Sequence, residues 1–151
     1  MHADPVDPVP VVDLSTLLTD FTEATAARLL ALAGHGSGSP LVEVEVRQLG
    51  GVYARDGAHP SAFCHRAARY CVLVIGMAPD PTARPHAERL LAALADWDTG
   101  AVWPNFGPPH DARTAGRAYD PATLARLVAV TRTYDPHGVL QTGAYTGAGA
   151  S

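Results

Sequence analysis

Alternating apolar and charged side chains in residues 41–49 constrain the fold more than any other feature of this sequence. Valine recurs there at every second position, at Val42, Val44 and Val46. Successive side chains of a β-strand point to opposite faces, so this alternation predicts a strand with one apolar and one polar face. The pair Gly50-Gly51 that follows predicts a break or a bulge at its end.

A second strand is predicted at roughly residues 67–76, where the run Tyr70–Ile75 is apolar throughout. A strand that is apolar on both faces is typical of the centre of a sheet. Two strands alone make a poor sheet. We therefore expect either further strands, in residues 52–66 and 101–106, or a second copy of the chain that extends the sheet. For this reason we expect a homodimer.

A first helix is predicted in residues 14–32, where apolar side chains recur at helical spacing. Asp13 or Ser15 is suited to cap its start, and Gly34 lies where a helix commonly ends. The proline-rich residues 1–12 before it are interpreted as an extended arm.

Two more helices are expected further along the chain. One begins at Thr82 and carries an apolar stripe that reaches Trp97. The other opens with Asp120 and a following proline, and Pro136 stops it. Residues 101–119 between the two helices show little periodicity and are interpreted as a long ordered loop.

The resulting order is helix, strand, strand, helix, loop, helix. It predicts an α+β fold in which helices pack on one face of an antiparallel sheet, of the ferredoxin-like kind. We expect one domain over residues 13–141, after the arm of residues 1–12. A flexible tail, rich in Gly, Ala, Thr and Ser, is predicted over residues 142–151.

Composition excludes several classes of partner. The 151 residues carry a net charge of −4, which argues against nucleic acid because phosphate binding needs a cationic surface. No apolar run is long enough to span a membrane, and the first residues do not resemble a signal peptide, so we expect a cytoplasmic protein. All 11 basic residues are Arg, which together with abundant Ala, Gly and Pro is typical of a GC-rich bacterial genome.

Cysteine spacing does not favour a metal site. Cys64 and Cys71 form no CxxC pair, and a site built from Cys64, His65 and Cys71 does not have a usual ligand spacing. Buried thiols beside a strand are the better interpretation, and we expect no metal.

Four segments, in this order, resemble the C-terminal part of berberine-bridge-enzyme-like (BBE-like), FAD-linked oxidoreductases. They are residues 44–51 with the glycine pair, residues 66–75, the segment Trp103-Pro104-Asn105-Phe106, and the closing stretch with Tyr119, Arg126-Leu127 and Tyr134-Asp135-Pro136. The resemblance covers roughly residues 15–141. The family commonly has Asn where this sequence has Gly138.

The resemblance implies the substrate half of such a flavoenzyme without its flavin-binding half. In the family this region supplies a substrate-domain sheet whose open face covers the flavin, and Asn105 would lie close to the flavin ring. No segment resembles the family's Gly-rich loop or its covalent flavin links. We therefore expect no cofactor of the chain's own, and FAD only if a partner chain supplies it.

The polar face of the first predicted strand carries the main catalytic candidates, Glu43, Glu45 and Arg47. Carboxylates about 7 Å apart with a guanidinium next in line are suited to acid–base work or to gripping a polar ligand. The alternative is a solvated or dimer-facing surface with cross-strand ion pairs. Tyr70 on the neighbouring strand is a fourth catalytic candidate, although a strand tyrosine more often packs in the core or at an edge.

Substrate-binding candidates lie in two segments. Tyr53 follows the glycine pair, and Trp103, Asn105 and Phe106 are suited to form an apolar wall with one orienting amide. The alternative is a loop packed over the sheet edge. His59 and His65 are candidates for a proton shuttle only because His titrates near neutrality.

Two functions are compatible with these residues. The first is a small, cofactor-independent cyclase or isomerase of bacterial secondary metabolism that acts on an apolar, ring-containing substrate. Glu45 or Glu43 would be its base, and Arg47 and Tyr70 its polarising donors. The second is a non-catalytic or split subunit that completes a separately encoded FAD-dependent oxidoreductase.

Overall fold

The computed structural model describes residues 9–59, 61–106 and 112–140. Three strands and four helices are described there: β1 Val11–Leu18, α1 Glu23–Ala33, β2 Leu41–Gln48, β3 Tyr70–Met77, α2 Ala83–Ala92, α3 Ala112–Ala118 and α4 Pro121–Tyr134. Among the described helices, none is both long and apolar enough to cross a bilayer.

The sheet has the order β1-β3-β2, and β3 pairs antiparallel with both neighbours. Leu73 lies opposite Ser15 of β1 and Glu45 of β2, which sets the register across the sheet. A bulge between Leu41 and Glu43 displaces Val42. The predicted strands β2 and β3 are thus confirmed, with β3 at the centre of the sheet.

The third strand occupies a segment where a helix was expected, and that prediction is wrong for residues 14–18. Leu14 and Leu18 face the core beneath the helices, whereas Leu17 packs on the opposite face. Both faces of β1 are buried, so its hydrophobicity does not alternate and its leucines mimic a helical stripe. Pairing with β3 overrides the local propensity of these residues.

The boundaries at the start of the domain also change. Val11 and Val12 of the predicted arm belong to β1, while residues 1–8 of the arm and the predicted tail lie outside the described residues. The first helix begins after Thr22, whose hydroxyl accepts a bond from the Thr25 N–H. Gly34 ends that helix as expected.

One face of the sheet carries the helices and the main core. Val12, Leu14, Leu18, Val72 and Val74 pack there against Leu29 of α1 and Ala87, Leu90 and Leu94 around α2. The predicted α+β fold, an antiparallel sheet with helices packed against it, is therefore confirmed.

Two of the other predictions differ in extent. The helix after Thr82 ends at Ala92, so Trp97 follows it in a turn, and α3 lies inside the predicted loop. The last helix begins after Asp120 and ends before Pro136 as expected. No strand forms in the described residues of 52–66 or in 101–106, although residues 97–101 bond to the outer edge of β1.

Candidate functional site

The sheet face opposite α1 and α2 is covered by the segment of residues 101–106. Leu17 and Cys71 form a second, smaller core there with Leu49, Ala68 and Ala101, and Trp103 packs against it. The Ser15 hydroxyl donates a hydrogen bond to the Phe106 carbonyl. These contacts place the predicted wall segment directly over the polar face of the sheet.

Glu45 and Arg47 form an ion pair on this face. The Arg47 guanidinium donates to both Glu45 carboxylate oxygens, and the Nη2–Oε2 distance is 2.8 Å. The hydrogen bond from Arg47 lowers the pKa of Glu45, and the same bond raises the pKa of Arg47. A carboxylate with both oxygens occupied and a lowered pKa is a weak general base.

Arg47 also connects the polar face to a group of aromatic rings. Its Cζ atom lies 4.4 Å from the ring centroid of Phe106, which is the geometry of a cation–π contact. Phe106 meets the edge of Trp103 with ring centroids 5.6 Å apart. Trp103 in turn contacts Tyr53 at 5.3 Å and Phe63 at 5.6 Å. We call Tyr53, Phe63, Trp103 and Phe106 the aromatic cluster.

A hollow of about 300 Å³ opens beside the aromatic cluster. It is lined by Tyr53, Ala62, Phe63, Trp103, Pro104, Asn105, Ala118 and Tyr119. Its size is at the lower end for small-molecule sites, and an aromatic lining with one amide suits a ring-containing ligand. The structure thus brings together three predicted binding residues, Tyr53, Trp103 and Asn105, although 50 residues separate the first two.

The predicted catalytic residues are not all brought together. Tyr70 packs against Phe21 and the core beneath the helices. The prediction that Tyr70 shares a face with Glu45 and Arg47 is therefore wrong. The reason is the register: Tyr70 lies opposite Gln48, whereas Arg47 lies opposite Cys71. Glu43 is exposed, and none of the three charged residues of β2 lines the hollow.

Three residues near the hollow were not assigned to a site from the sequence. Phe63 and Tyr119 line the hollow. The third residue is Cys64, whose thiol accepts a hydrogen bond from the Asp120 N–H and donates one to the Ala118 carbonyl. Burial raises the pKa of Cys64. Phe63 lies in an irregular segment, where no periodic pattern distinguishes a cluster member from an incidental aromatic residue.

The histidine candidates have different surroundings. His65 Nε2 lies 2.9 Å from the Ala118 carbonyl oxygen, which ties its segment to α3. It also lines a second hollow of about 370 Å³, together with Cys64, Thr99 and Arg117. His59 is exposed. Within the described ranges, no three His, Cys, Asp or Glu side chains are grouped to hold a metal ion.

The residues that line the hollow are suited to contact one face of a ring system rather than to bind a whole dinucleotide. Asn105, which the resemblance implies to lie near a flavin ring, is among the residues that line the hollow beside the aromatic cluster. The hollow offers no cationic side chain among its lining residues for a pyrophosphate. The lining of the hollow is therefore suited to a ring system and offers no counter-charge to a pyrophosphate.

Known proteins resemble this chain in fold rather than in sequence. No protein-family model matches the chain, and a comparison with curated proteins gives no match. Solved structures do match: the fold is that of one part of a BBE-like protein.

One matching structure is that of BBE-like 1 of Physcomitrella patens, with a TM-score of 0.65 and 18% sequence identity to this chain. The match covers 89% of this chain but only 29% of that chain, and a point variant of the same protein gives the same values. The implied BBE-like fold is therefore confirmed, and this chain spans less than a third of its structural neighbour.

Proposed function

We propose that this chain is the substrate-side part of a BBE-type, FAD-dependent oxidoreductase. In this proposal the flavin-binding domain is supplied by another chain or by another part of the same polypeptide. The observation that carries the proposal is the fold match, which covers 89% of this chain and 29% of a BBE-like protein. This proposal keeps the predicted split-subunit function but does not require that the flavin-binding domain is encoded by a separate gene.

The aromatic cluster and the hollow beside it would hold the substrate. An apolar ring packs against Trp103 and Tyr53, and the exposed Asn105 amide orients a polar substituent. Arg47 keeps Phe106 in place through its cation–π contact rather than reaching into the hollow. FAD, when bound, supplies the electron acceptor for oxidation of the substrate.

Helix α4 supports the presence of a further domain. None of its 14 residues is buried, although apolar side chains form a stripe along it. Val130 is 46% exposed and Tyr134 is 80% exposed. An isolated amphipathic helix of this length is marginal in water, and its stability comes from packing of its apolar face.

The segment after α4 carries two more exposed apolar residues, Val139 and Leu140. The Asp135 carboxylate accepts hydrogen bonds from the backbone N–H groups of Val139 and Leu140, at 2.7 and 2.9 Å. Both side chains are exposed. Asp135 thus fixes the backbone of two more exposed apolar residues after the helix, and the flavin-binding domain is the occupant that we assign to the apolar stripe of α4 and to these residues.

Co-expression with a flavin-binding domain of a BBE-type oxidoreductase tests this proposal. We expect a yellow 1:1 complex in size-exclusion chromatography, with flavin absorbance that co-elutes with this chain. Val130→Asp combined with Tyr134→Asp should weaken the complex by roughly tenfold or more, because interface anchors commonly contribute over 1 kcal/mol each.

The matched control is Ala125→Asp, which lies on the opposite side of α4 and is also exposed. It should leave the complex intact. All three substitutions are at exposed positions, so circular dichroism of the free chain should be unchanged. Failure to form a complex, or equal weakening by the control, would contradict the proposal.

A cofactor-independent cyclase or isomerase remains the second candidate, and the hollow with its aromatic lining is the observation that favours it. The ion pair with Arg47 works against Glu45 as its base, and neither Glu45 nor Glu43 lines the hollow. This function predicts turnover by the colourless chain alone, which Asn105→Ala should lower because Asn105 lines the hollow. Turnover that requires the flavin domain would exclude it.

A further inference from the structure

The two outer edges of the sheet differ in their backbone hydrogen bonds to the rest of the described chain. Along β1, Leu17 exchanges backbone hydrogen bonds with Thr99 and Ala101, at 2.9 and 3.2 Å, so residues 97–101 cover that edge. Along β2, no described backbone group outside β3 bonds to the strand between Glu43 and Gln48. An unpaired strand of this kind is a template for another strand.

The residues on the free edge follow from the alternation of the backbone. The Leu49 N–H donates to the Arg69 carbonyl, so Leu49 points its backbone groups towards the centre of the sheet. Because successive residues alternate, Arg47 and Glu45 also face β3, while Gln48, Val46 and Val44 turn their N–H and C=O groups outward. The bulge at Val42 limits any further pairing to the later part of β2.

The charges of β2 are complementary to those of a second, antiparallel copy of β2, and this indicates which strand can pair with the free edge. An antiparallel pair centred on Val46 sets Val46 opposite its own copy and Glu45 opposite Arg47 of the second copy. Both Glu45–Arg47 contacts then bring opposite charges together in the closely spaced, non-hydrogen-bonded positions. A pair centred on Glu45 would instead oppose two carboxylates, which is destabilising.

We propose that the free edge of β2 is an interface with a second copy of this chain, in which two β2 strands pair antiparallel about a two-fold axis at Val46. The two three-stranded sheets then form one continuous sheet of six strands. Val46, which is 38% exposed in the single chain, is covered by its own copy. This interface lies along β2, whereas the surface assigned to the flavin-binding domain lies on α4, so the two proposals are tested by different variants.

A charge exchange tests both the interface and its register. Analytical ultracentrifugation of the natural chain should show a dimer that dissociates on dilution. Arg47→Glu opposes two carboxylates and should raise the dimer dissociation constant by at least tenfold. Adding Glu45→Arg to it exchanges the two charges and should restore the dimer. If the pair were centred on Glu45, the double variant would remain weak.

A cross-linking experiment covers the case in which Arg47→Glu does not fold. In the proposed dimer the two Val46 Cα atoms lie about 5.5 Å apart, within the range of a disulfide. Val46→Cys should therefore give a covalent dimer under mild oxidation. Val42→Cys is the matched control, because it is more exposed yet lies about 27 Å from its copy, at roughly 3.4 Å a residue.

Three outcomes would overturn this inference. They are a chain that stays monomeric at all concentrations, a double variant as weak as the single one, and cross-linking through Val42→Cys rather than Val46→Cys. A chain that pairs at β2 only after a flavin-binding domain is added would also overturn it, and would assign the edge to a strand of that domain.

Discussion

Arg47 binds Glu45 through two hydrogen-bonding nitrogens and also lies over the Phe106 ring. The two side chains are 39% and 32% exposed, so solvent partly screens their charges. The hydrogen bond nevertheless dominates the titration of Glu45 and lowers its pKa. Arg47 therefore decides whether Glu45 can act as a base.

Replacement of Arg47 by Gln should return the pKa of Glu45 towards its ordinary value. The folded-state pKa is below the unfolded one, so the ion pair stabilises the fold above the unfolded pKa and is lost as pH falls through the folded pKa. Stability of Arg47→Gln should accordingly fall less between neutral and acidic pH. Carboxyl ¹³C chemical shifts report the pKa directly.

Arg55→Gln is the control for this titration. Arg55 is exposed and donates to the Gly51 carbonyl rather than to a carboxylate. The pKa of Glu45 should be unchanged in that variant. A lowered pKa that persists in Arg47→Gln would show that another group depresses it.

The contact between β3 and α2 depends on a glycine in the strand. A Cβ atom added at Gly76 would lie 2.7 Å from the Ala83 Cβ and 3.4 Å from a methyl of Leu41. Ala83 is fully buried at the start of α2. Gly76 therefore allows the helix to approach the sheet closely.

Gly76→Ala should destabilise the protein by about 1–3 kcal/mol, because the strand and the helix must separate to admit the methyl group. Urea unfolding followed by circular dichroism measures this change. Gly116→Ala is the matched control: it lies in α3 with no atom within 4 Å of an added Cβ. Its effect should be neutral or stabilising, since Ala favours a helix over Gly by about 1 kcal/mol. Equal destabilisation by both would refute the packing argument.

Stability should be unevenly distributed over the molecule. Cys71, Val72 and Val74 of β3 are buried almost completely, whereas α4 has no buried residue and, among the described helices and strands, packs mainly on α3. Segments with few buried apolar contacts open with a small free energy. The chain therefore combines a well-packed sheet with a weakly held terminal helix.

Hydrogen exchange should show this difference in the isolated chain. Amides of α4 should exchange at least about a hundredfold faster than those of β3, which corresponds to about 2.7 kcal/mol in opening free energy. Addition of a flavin-binding domain should slow exchange in α4 and leave β3 unchanged. Equal protection of the two elements in the free chain would contradict the assignment of α4 to an interface.

Local patterns were sufficient to predict several elements. The alternation in β2, the apolar run of β3 and the cap formed by Asp120 with a following proline are all signals carried by neighbouring residues. Such signals act through side-chain direction and backbone hydrogen bonds, which do not depend on the rest of the fold. The BBE-like fold could also be inferred from four short segments in order.

The site depended on information that neighbouring residues do not carry. Strand β1 escaped prediction because both of its faces are buried, and Tyr70 was grouped with Arg47 because a shift of one residue in register reverses the face of a side chain. The contacts of Arg47 with Phe106 and of Tyr53 with Trp103 join residues more than 45 positions apart. Patterns among neighbouring residues are therefore enough to predict where β2, β3 and α4 form. Which side chains meet follows from the folded chain alone, because long-range strand pairing and loop paths select the face on which each side chain lies.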